Sequence, residues 1–371
     1  MRQLGLCLGF LLASFYTYSE ETLASNQIQN IVLGSGCFWG AEKGYASIPG
    51  VIEAISGYAD GKQVLPNYSE INWAKKHFEE FNLLSTSYYD YIVFRRDDFR
   101  GETITIKNGY RVNKNEESFN LKKDIWVFGG STTWGTGSRN EETIPALIEK
   151  ISGISTLNLG ESGYNTSHEL NLLIKEIVNH KPKIVIFYDG VNDIYHKCRT
   201  ISNYFASAQE REIKNKLDGK FSYTKNLIIA PLKVTEEIAE RFNTKKTVKY
   251  FDCDTNEEKA RNIVKVFINN WQIVKSITEN NNIKFIPILQ PTAFSSKSNL
   301  NHIDLEQDVK IQFQIMYEMI KKELENSNLK YLNLENSLDE KEFYFIDWMH
   351  VSPNGNYEIA NKIVNSNLFN N

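Results

Sequence analysis

The sequence predicts an α/β protein, built as three α/β/α layers around a mostly parallel sheet of about five strands. Two observations lead there. From Asp124 onward the chain repeats a rhythm of strand, loop and helix. Candidate strands fall at Ile125–Phe128, Ser155–Leu159, Lys183–Tyr188, Ile283–Leu289 and Tyr331–Leu334. Such alternation calls for a parallel sheet covered by helices on both faces. The loops after these strands are also rich in glycine and small polar residues, as in Gly129-Gly130-Ser131, Gly160-Glu161-Ser162-Gly163 and Gly190-Val191-Asn192. The crevice outside strand carboxyl ends is where open α/β sheets bind ligands.

Composition narrows the classes of partner. A chain of 371 residues has room for one large domain or two smaller ones, and its 41% hydrophobic and 24% charged residues are those of an ordinary soluble protein. Its net charge is -4, and no run of Lys and Arg is dense enough to form a stripe. Nucleic acid is therefore excluded as the main partner, and small neutral or weakly charged substrates fit better. The four cysteines, Cys7, Cys37, Cys198 and Cys253, form no CxxC pair and have no histidine at ligand spacing. No metal and no cofactor is expected. Disulfides stay open.

The N-terminal stretch Leu4–Phe15 carries no charge, which is the length of a signal-peptide h-region and too short to span a bilayer. Residues 1–24 are read as a signal peptide cleaved after Ala24, which implies export to a periplasmic or extracellular space. If the segment is a buried element instead, the protein is cytoplasmic. No later segment is long and apolar enough for a stable membrane span.

Residues 25–71 differ in kind from the rest of the chain. Ile31–Gly40 reads as a strand delivering Cys37 to a turn, with a short helix starting near Ala41. A thiol at a helix N-terminus has its thiolate favoured by the dipole and becomes a nucleophile. Phe38 and Trp39 could wall an apolar pocket beside it. The run Gly36-Cys37-Phe38-Trp39-Gly40, with Pro49-Gly50-Val51 and Ser56-Gly57-Tyr58 after it, resembles peptide methionine sulfoxide reductase A. That resemblance implies that Cys37 attacks the sulfoxide, that Phe38 and Trp39 hold the methyl group, and that Tyr68 binds the sulfoxide oxygen. The family's next motif, which supplies the acid, is absent after Ile71. Glu79 and Glu80 lie nearby in a charged helical pattern and are read as a solvated face. The segment looks like the opening part of a reductase joined to something else.

Residues 72–123 alternate in short runs, Tyr91–Phe94, Glu102–Ile106 and Gly109–Arg111, separated by Asp-Asp and Asn-Gly turns. A small antiparallel β extension with no chemistry of its own is expected. Residues 124–371 then form the α/β domain. Within it, residues 197–279 are mostly amphipathic and polar with no strand signal, which predicts a helical insertion that could serve as a lid.

Each loop at a strand's carboxyl end offers something acyl transfer needs. Ser131 comes after the first strand, where the bland alternative is an ordinary loop of small residues. Gly160 to Tyr164 come after the second, with backbone N–H groups free to face the crevice. Asn192 comes after the third and brings a side-chain amide. Asp347-Trp348-Met349-His350 precede Ser352-Pro353, a plausible N-cap and first helical residue. A serine nucleophile requires a base, a carboxylate to orient it, and donors for the oxyanion.

The chain order Ser, Asp, His, with Asp and His three residues apart, resembles the SGNH or GDSL hydrolase superfamily. Its blocks match as Gly129–Gly135, Gly163, Gly190–Asp193 and Asp347–His350, and Gly130 stands where members commonly have Asp. The resemblance covers about residue 88 to the C-terminus. It implies an SGNH or flavodoxin-like fold, with Ser131 as nucleophile, His350 as base then acid, and Asp347 as its orienter. The oxyanion donors would be the N–H groups of Ser131 and Gly163 and the amide of Asn192, with Gly160 competing for the place of Gly163. The expected substrate is a small-molecule or carbohydrate acyl ester. Two other classes compete: a thiol oxidoreductase, if a carboxylic acid reaches Cys37, and a non-catalytic binding domain, if Ser131 and His350 lie out of hydrogen-bond reach. The remaining histidines, His77, His168, His180, His196 and His302, are expected at the surface.

Overall fold

A computed structural model of the chain describes residues 65–114, 120–200, 202 and 250–370. Cys37, Phe38 and Trp39, the expected signal peptide and most of the expected insertion lie outside the described residues. The chain divides into two units, residues 1–63 and 64–371, and the second is described here.

It begins with helix α1 (Ala74–Asn82), whose face of Ala74, His77 and Glu80 turns inward. Glu80 is therefore no solvated residue. Its carboxylate accepts from the N–H groups of Glu102, Thr103 and Ile104 and from the Thr103 hydroxyl, while Glu79 stays exposed. Strands β1 (Thr86–Tyr89) and β2 (Val93–Arg96) form an antiparallel hairpin. β3 (Phe99–Arg100), β4 (Thr105–Lys107) and β5 (Tyr110–Arg111) form a second antiparallel sheet. Asn108 and Gly109 join β4 to β5 with φ of 53° and 77°, the left-handed pair that an Asn-Gly hairpin turn requires.

The α/β domain comes next as β6 (Ile125–Gly129), α2 (Ser131–Trp134), α3 (Ile144–Ser152), β7 (Thr156–Asn158), α4 (Thr166–Ile177), β8 (Ile184–Asp189), α5 (Val191–Lys197), α6 (Glu257–Asn280), β9 (Lys284–Leu289), α7 (Gln307–Ser327), β10 (Leu332–Asn333), α8 (Pro353–Val364) and α9 (Asn367–Asn370). All five expected strands form, within two residues of the expected bounds. They make one parallel sheet in the order β10-β9-β8-β6-β7. The chain thus leaves β6 in one direction to β7 and in the other to β8, so the topological switch point lies between β6 and β8.

Side-chain alternation sets the layers. Ile125 and Val127 of β6 pack with Ile186, Ile286 and Ile288 against α3 and α8, through Ile148, Ile359 and Ile363. Trp126 and Phe128 point the other way and join Val185 and Phe187 against α4, α6 and α7, through Leu173, Phe267, Trp271 and Met316. Successive strand residues face opposite sides, and here both sides are covered. The end of the expected insertion is also part of this core. α6 buries Ile263, Phe267, Trp271 and Val274 as the crossover helix into β9, so residues 257–279 are a structural layer and no lid. Trp271→Ala would remove one of the largest buried side chains, at a cost of about 3–5 kcal/mol.

Cys198 and Cys253 form a disulfide across the base of the segment between α5 and α6. No metal-holding group of three or more His, Cys, Asp or Glu residues exists among the described residues. None of the helices there is long and apolar enough to cross a membrane.

Candidate active site

The nucleophile's place is fixed by where β6 stops. Its run of buried apolar residues ends at Gly129-Gly130, and the chain then winds into the single turn of α2, where the N–H of Trp134 donates to Gly130 O and that of Gly135 to Ser131 O. Ser131 is the first residue of that turn, so its own N–H has no acceptor inside the helix. The side chain is 7% exposed.

The loop carrying Asp347 and His350 is folded by the aspartate itself. Asp347 Oδ1 accepts from the N–H of Met349 at 2.8 Å and of His350 at 2.7 Å. Ile346 N–H donates to His350 O, and Ser352 caps α8 with Pro353 at its first position, as the sequence predicts. Oδ2, the other oxygen of Asp347, meets His350 Nδ1 at 2.6 Å, and His350 Nε2 lies 2.7 Å from Ser131 Oγ. A carboxylate only accepts, so Nδ1 carries the proton of the neutral imidazole and Nε2 offers its lone pair to the serine hydroxyl. Burial alone would raise the Asp347 carboxyl, but the His350 imidazole and the two N–H donors outweigh it and hold the carboxyl below its ordinary value. Three side chains 219 residues apart at their extremes are thus joined in one hydrogen-bonded line. The Ser131–His350 distance falls within hydrogen-bond reach.

The oxyanion candidates converge at the switch point. Gly130, ahead of the serine, packs directly on Asn192, since a β-carbon there would lie 2.4 Å from Asn192 Nδ2. The Asn192 amide donates one hydrogen to Tyr164 O at 2.7 Å and keeps a second for a ligand. The two glycines of the loop after β7 differ in what their N–H groups meet. Gly160 N–H donates to Asn158 Oδ1 at 3.0 Å, and those of Glu161, Ser162 and Tyr164 donate to Gly129 O, Glu161 Oε1 and Glu161 O. Among the described residues, Gly163 N–H is the one in this loop with no protein acceptor. Its φ of 84° is a conformation that glycine adopts at no steric cost.

Several residues that support this site escape a reading by motif. Asp193, next to Asn192, accepts from Thr166 N at 3.1 Å, Thr166 Oγ1 at 2.7 Å and Lys197 Nζ at 2.8 Å, all buried. It ties α5, which carries Asn192, to the start of α4 just beyond Gly163. Beneath it, Asp189 accepts from Trp271 Nε1 at 2.7 Å and lies against the fully buried Glu169. Burial first, and then the neighbouring Asp189 charge, push Glu169 well above the ordinary range; burial pushes Asp189 up to about 7. In so dry a place the protonated form of each carboxyl is favoured over the charged one. The visible signal was a pair of acids on adjoining apolar elements, which sequence cannot tell from solvated ones. His77 and His168 are likewise buried, and burial pushes both imidazoles down. His180, His196 and His302 are half-buried, so the surface position expected for all five is found for none.

Tyr68, to which the reductase resemblance gives the sulfoxide oxygen, is 3% exposed, and its hydroxyl donates to Gly137 O in the loop after α2. It belongs to the core beside the nucleophile turn.

Fold and block order together define an SGNH-type α/β/α protein. Comparison with family models then gives the family: residues 125–363 match the model described as GDSL-like Lipase/Acylhydrolase, and residues 29–90 match Peptide methionine sulfoxide reductase. The chain belongs to the GDSL-like lipase/acylhydrolase family, with a peptide methionine sulfoxide reductase segment ahead of it. Peptide methionine sulfoxide reductase MsrA 2 of Rhizobium meliloti is 37% identical over 67 residues, which are 18% of this chain and 32% of that protein. The MsrA of Clostridium perfringens strain 13 is 31% identical over 126 residues, 33% of this chain and 78% of that protein. This chain therefore spans about a third of the first relative's length. Among solved structures, a lipolytic protein of the G-D-S-L family from Veillonella parvula aligns with a TM-score of 0.39 and 12% identity, over 65% of this chain and 95% of that one.

Proposed function

We propose that the protein is an ester hydrolase in which Ser131 is the nucleophile, His350 the general base and then acid, and Asp347 the orienter. The single observation that carries this reading is the line Asp347 Oδ2, His350 Nδ1, His350 Nε2, Ser131 Oγ, with contacts of 2.6 and 2.7 Å. Ser131 Oγ attacks the acyl carbonyl while His350 Nε2 takes its proton. The resulting oxyanion is held by the N–H groups of Ser131 and Gly163 and by the Asn192 amide. His350 then returns the proton to the departing alcohol, and water, activated by the same imidazole, releases the acyl group from Ser131. No metal or redox cofactor enters these steps. The substrate class is a small-molecule or carbohydrate acyl ester, in keeping with the family's description and with a chain of net charge -4 that lacks a basic stripe.

We also infer export. The Cys198–Cys253 disulfide supports it, because cytosolic thiols are kept reduced.

The test is a screen of p-nitrophenyl acetate, longer acyl esters and acetylated sugars with the full chain, repeated on Ser131→Ala, His350→Ala and the double variant. Each single change should cost orders of magnitude in kcat and the pair little more, since the residues act as a unit. An undiminished rate in Ser131→Ala would end the proposal.

A further inference from the structure

The β extension ahead of residue 124 reaches the site from outside the part of the chain that the family model covers. β2 runs alongside the loop after β7: Phe94 O accepts from Tyr164 Oη at 2.6 Å, and Arg96 N–H donates to Glu161 Oε2 at 3.1 Å. The Arg96 guanidinium donates through Nη2 to Ser162 Oγ at 2.9 Å and stands 3.2 Å from Glu161 Oε1. Both partners directly precede Gly163.

From β5, Arg111 enters the other loop. Its Nη1 donates to Gly135 O at 2.7 Å and Trp134 O at 3.2 Å, the carbonyls that close the turn begun by Ser131. Nη2 donates to Ser138 O and to Thr103 O at 3.4 Å, and Nε donates to Asn140 Oδ1 at 3.3 Å. Both guanidinium groups also lie over the Trp134 ring, at 4.4 Å for Arg96 and 4.3 Å for Arg111.

Arg111 is 1% exposed and its acceptors are all neutral. A cation so placed is costly to desolvate, and a buried charge of this kind is weak as a device for stability alone. What its rigid fork does supply is geometry, since five donors in one fixed plane reach carbonyls farther apart than the three rotatable donors of a compact lysine ammonium.

We infer that Arg111 and Arg96 are positioning residues for the hydrolase site. Arg111 sets the turn that presents Ser131, and Arg96 sets, through Glu161 and Ser162, the loop that presents Gly163. The β extension is thereby a working part of the site. This rests on the reading of Ser131 as nucleophile. A displacement of about 1 Å at a reacting group can cost about 100-fold, so losses should appear in kcat or in acylation rate, with KM little changed.

The experiment measures labelling of the full chain by an alkyl fluorophosphonate and turnover of p-nitrophenyl acetate, with melting temperature as control. Arg111→Ala should slow both by about 10- to 100-fold. Arg111→Lys should fail to restore the rate although it keeps the charge. Added ethylguanidinium should restore part of it in Arg111→Ala and none in Ser131→Ala. Should Arg111→Ala not fold, Arg96→Lys keeps the ion pair with Glu161, loses the Nη2 bond to Ser162, and should slow labelling several-fold. Labelling at the unaltered rate in folded Arg111→Ala or Arg96→Lys overturns this inference alone, as does a slow rate in Arg111→Ala that Lys restores and ethylguanidinium does not. Absence of Ser131 labelling in the unaltered protein overturns the hydrolase reading and this inference with it.

Discussion

The amide nitrogen of Asn192 stands 2.4 Å from the point that a β-carbon on Gly130 would occupy. The obstacle is the end of a side chain, so alanine at position 130 can be fitted by moving the Asn192 amide, at little cost to the fold. That movement withdraws one of the proposed oxyanion donors. Gly130→Ala should therefore leave the melting temperature almost unchanged and lower kcat toward the loss shown by Asn192→Ala, which should be about 100- to 1000-fold. The double variant should lose little more than Asn192→Ala. A wild-type kcat in Gly130→Ala, or an Asn192→Ala effect confined to KM, would turn Asn192 into a substrate-binding residue only.

The parts of this arrangement that sequence disclosed share one property: each is written locally. Strands Ile125–Gly129 and Ile184–Asp189 are unbroken apolar runs. Ser131, Asn192 and His350 each sit in a loop directly after such a run or before a capped helix, so each could be placed at the loop end of the sheet, while the contact spanning 219 residues came from the family resemblance. Arg111, Glu80 and Glu169 could not. Each is a charged residue whose burial depends on which distant carbonyls, N–H groups or acids face it, and no spacing within its own element records that. The same limit explains α6, whose polar outer face hid a stripe of Ile263, Phe267 and Trp271 that packs in the core.

The buried acids make stability depend on pH with a definite sign. Glu169 and Asp189 have folded pKa values above their unfolded ones, and Asp189 lies near 7, so the folded state binds the extra proton. The contribution of Asp189 is fully present below about pH 4 and is lost as pH rises through about 7, and that of Glu169 has the same sign. Asp347 has the opposite sign. Held below its ordinary value, it adds stability above the unfolded carboxylate range and loses it as pH falls through its folded value. Glu169→Gln keeps the shape and removes the proton demand, so its melting temperature should fall less than that of the unaltered protein between pH 5 and pH 8. Parallel curves for the two proteins would show that the pair holds no such proton.

The disulfide joins residues 55 apart. By chain entropy alone a loop of that size stabilises by up to about 4 kcal/mol at 25 °C. Replacing both Cys198 and Cys253 by serine should lower the urea midpoint accordingly, with little change in kcat, since neither sulfur is among the groups that meet Ser131 or His350. A midpoint unaffected by the double replacement would remove the support that the bridge lends to export.

The reductase segment is expected to be idle. Attack of the Cys37 thiolate on a sulfoxide also needs a proton delivered to the oxygen, and general acid help of that kind is worth about 100- to 10,000-fold. The acid motif implied by the resemblance is absent from the sequence. Of the residues that could stand in, the Tyr68 hydroxyl donates to Gly137 O, and the Glu80 carboxylate holds three backbone N–H groups. The full chain should reduce free or peptide methionine sulfoxide negligibly, and Cys37→Ser should hydrolyse esters at the unaltered rate. Stereospecific reduction of methionine sulfoxide that vanishes in Cys37→Ser would refute this, and Glu70 or Glu79 would then be the acids to replace next.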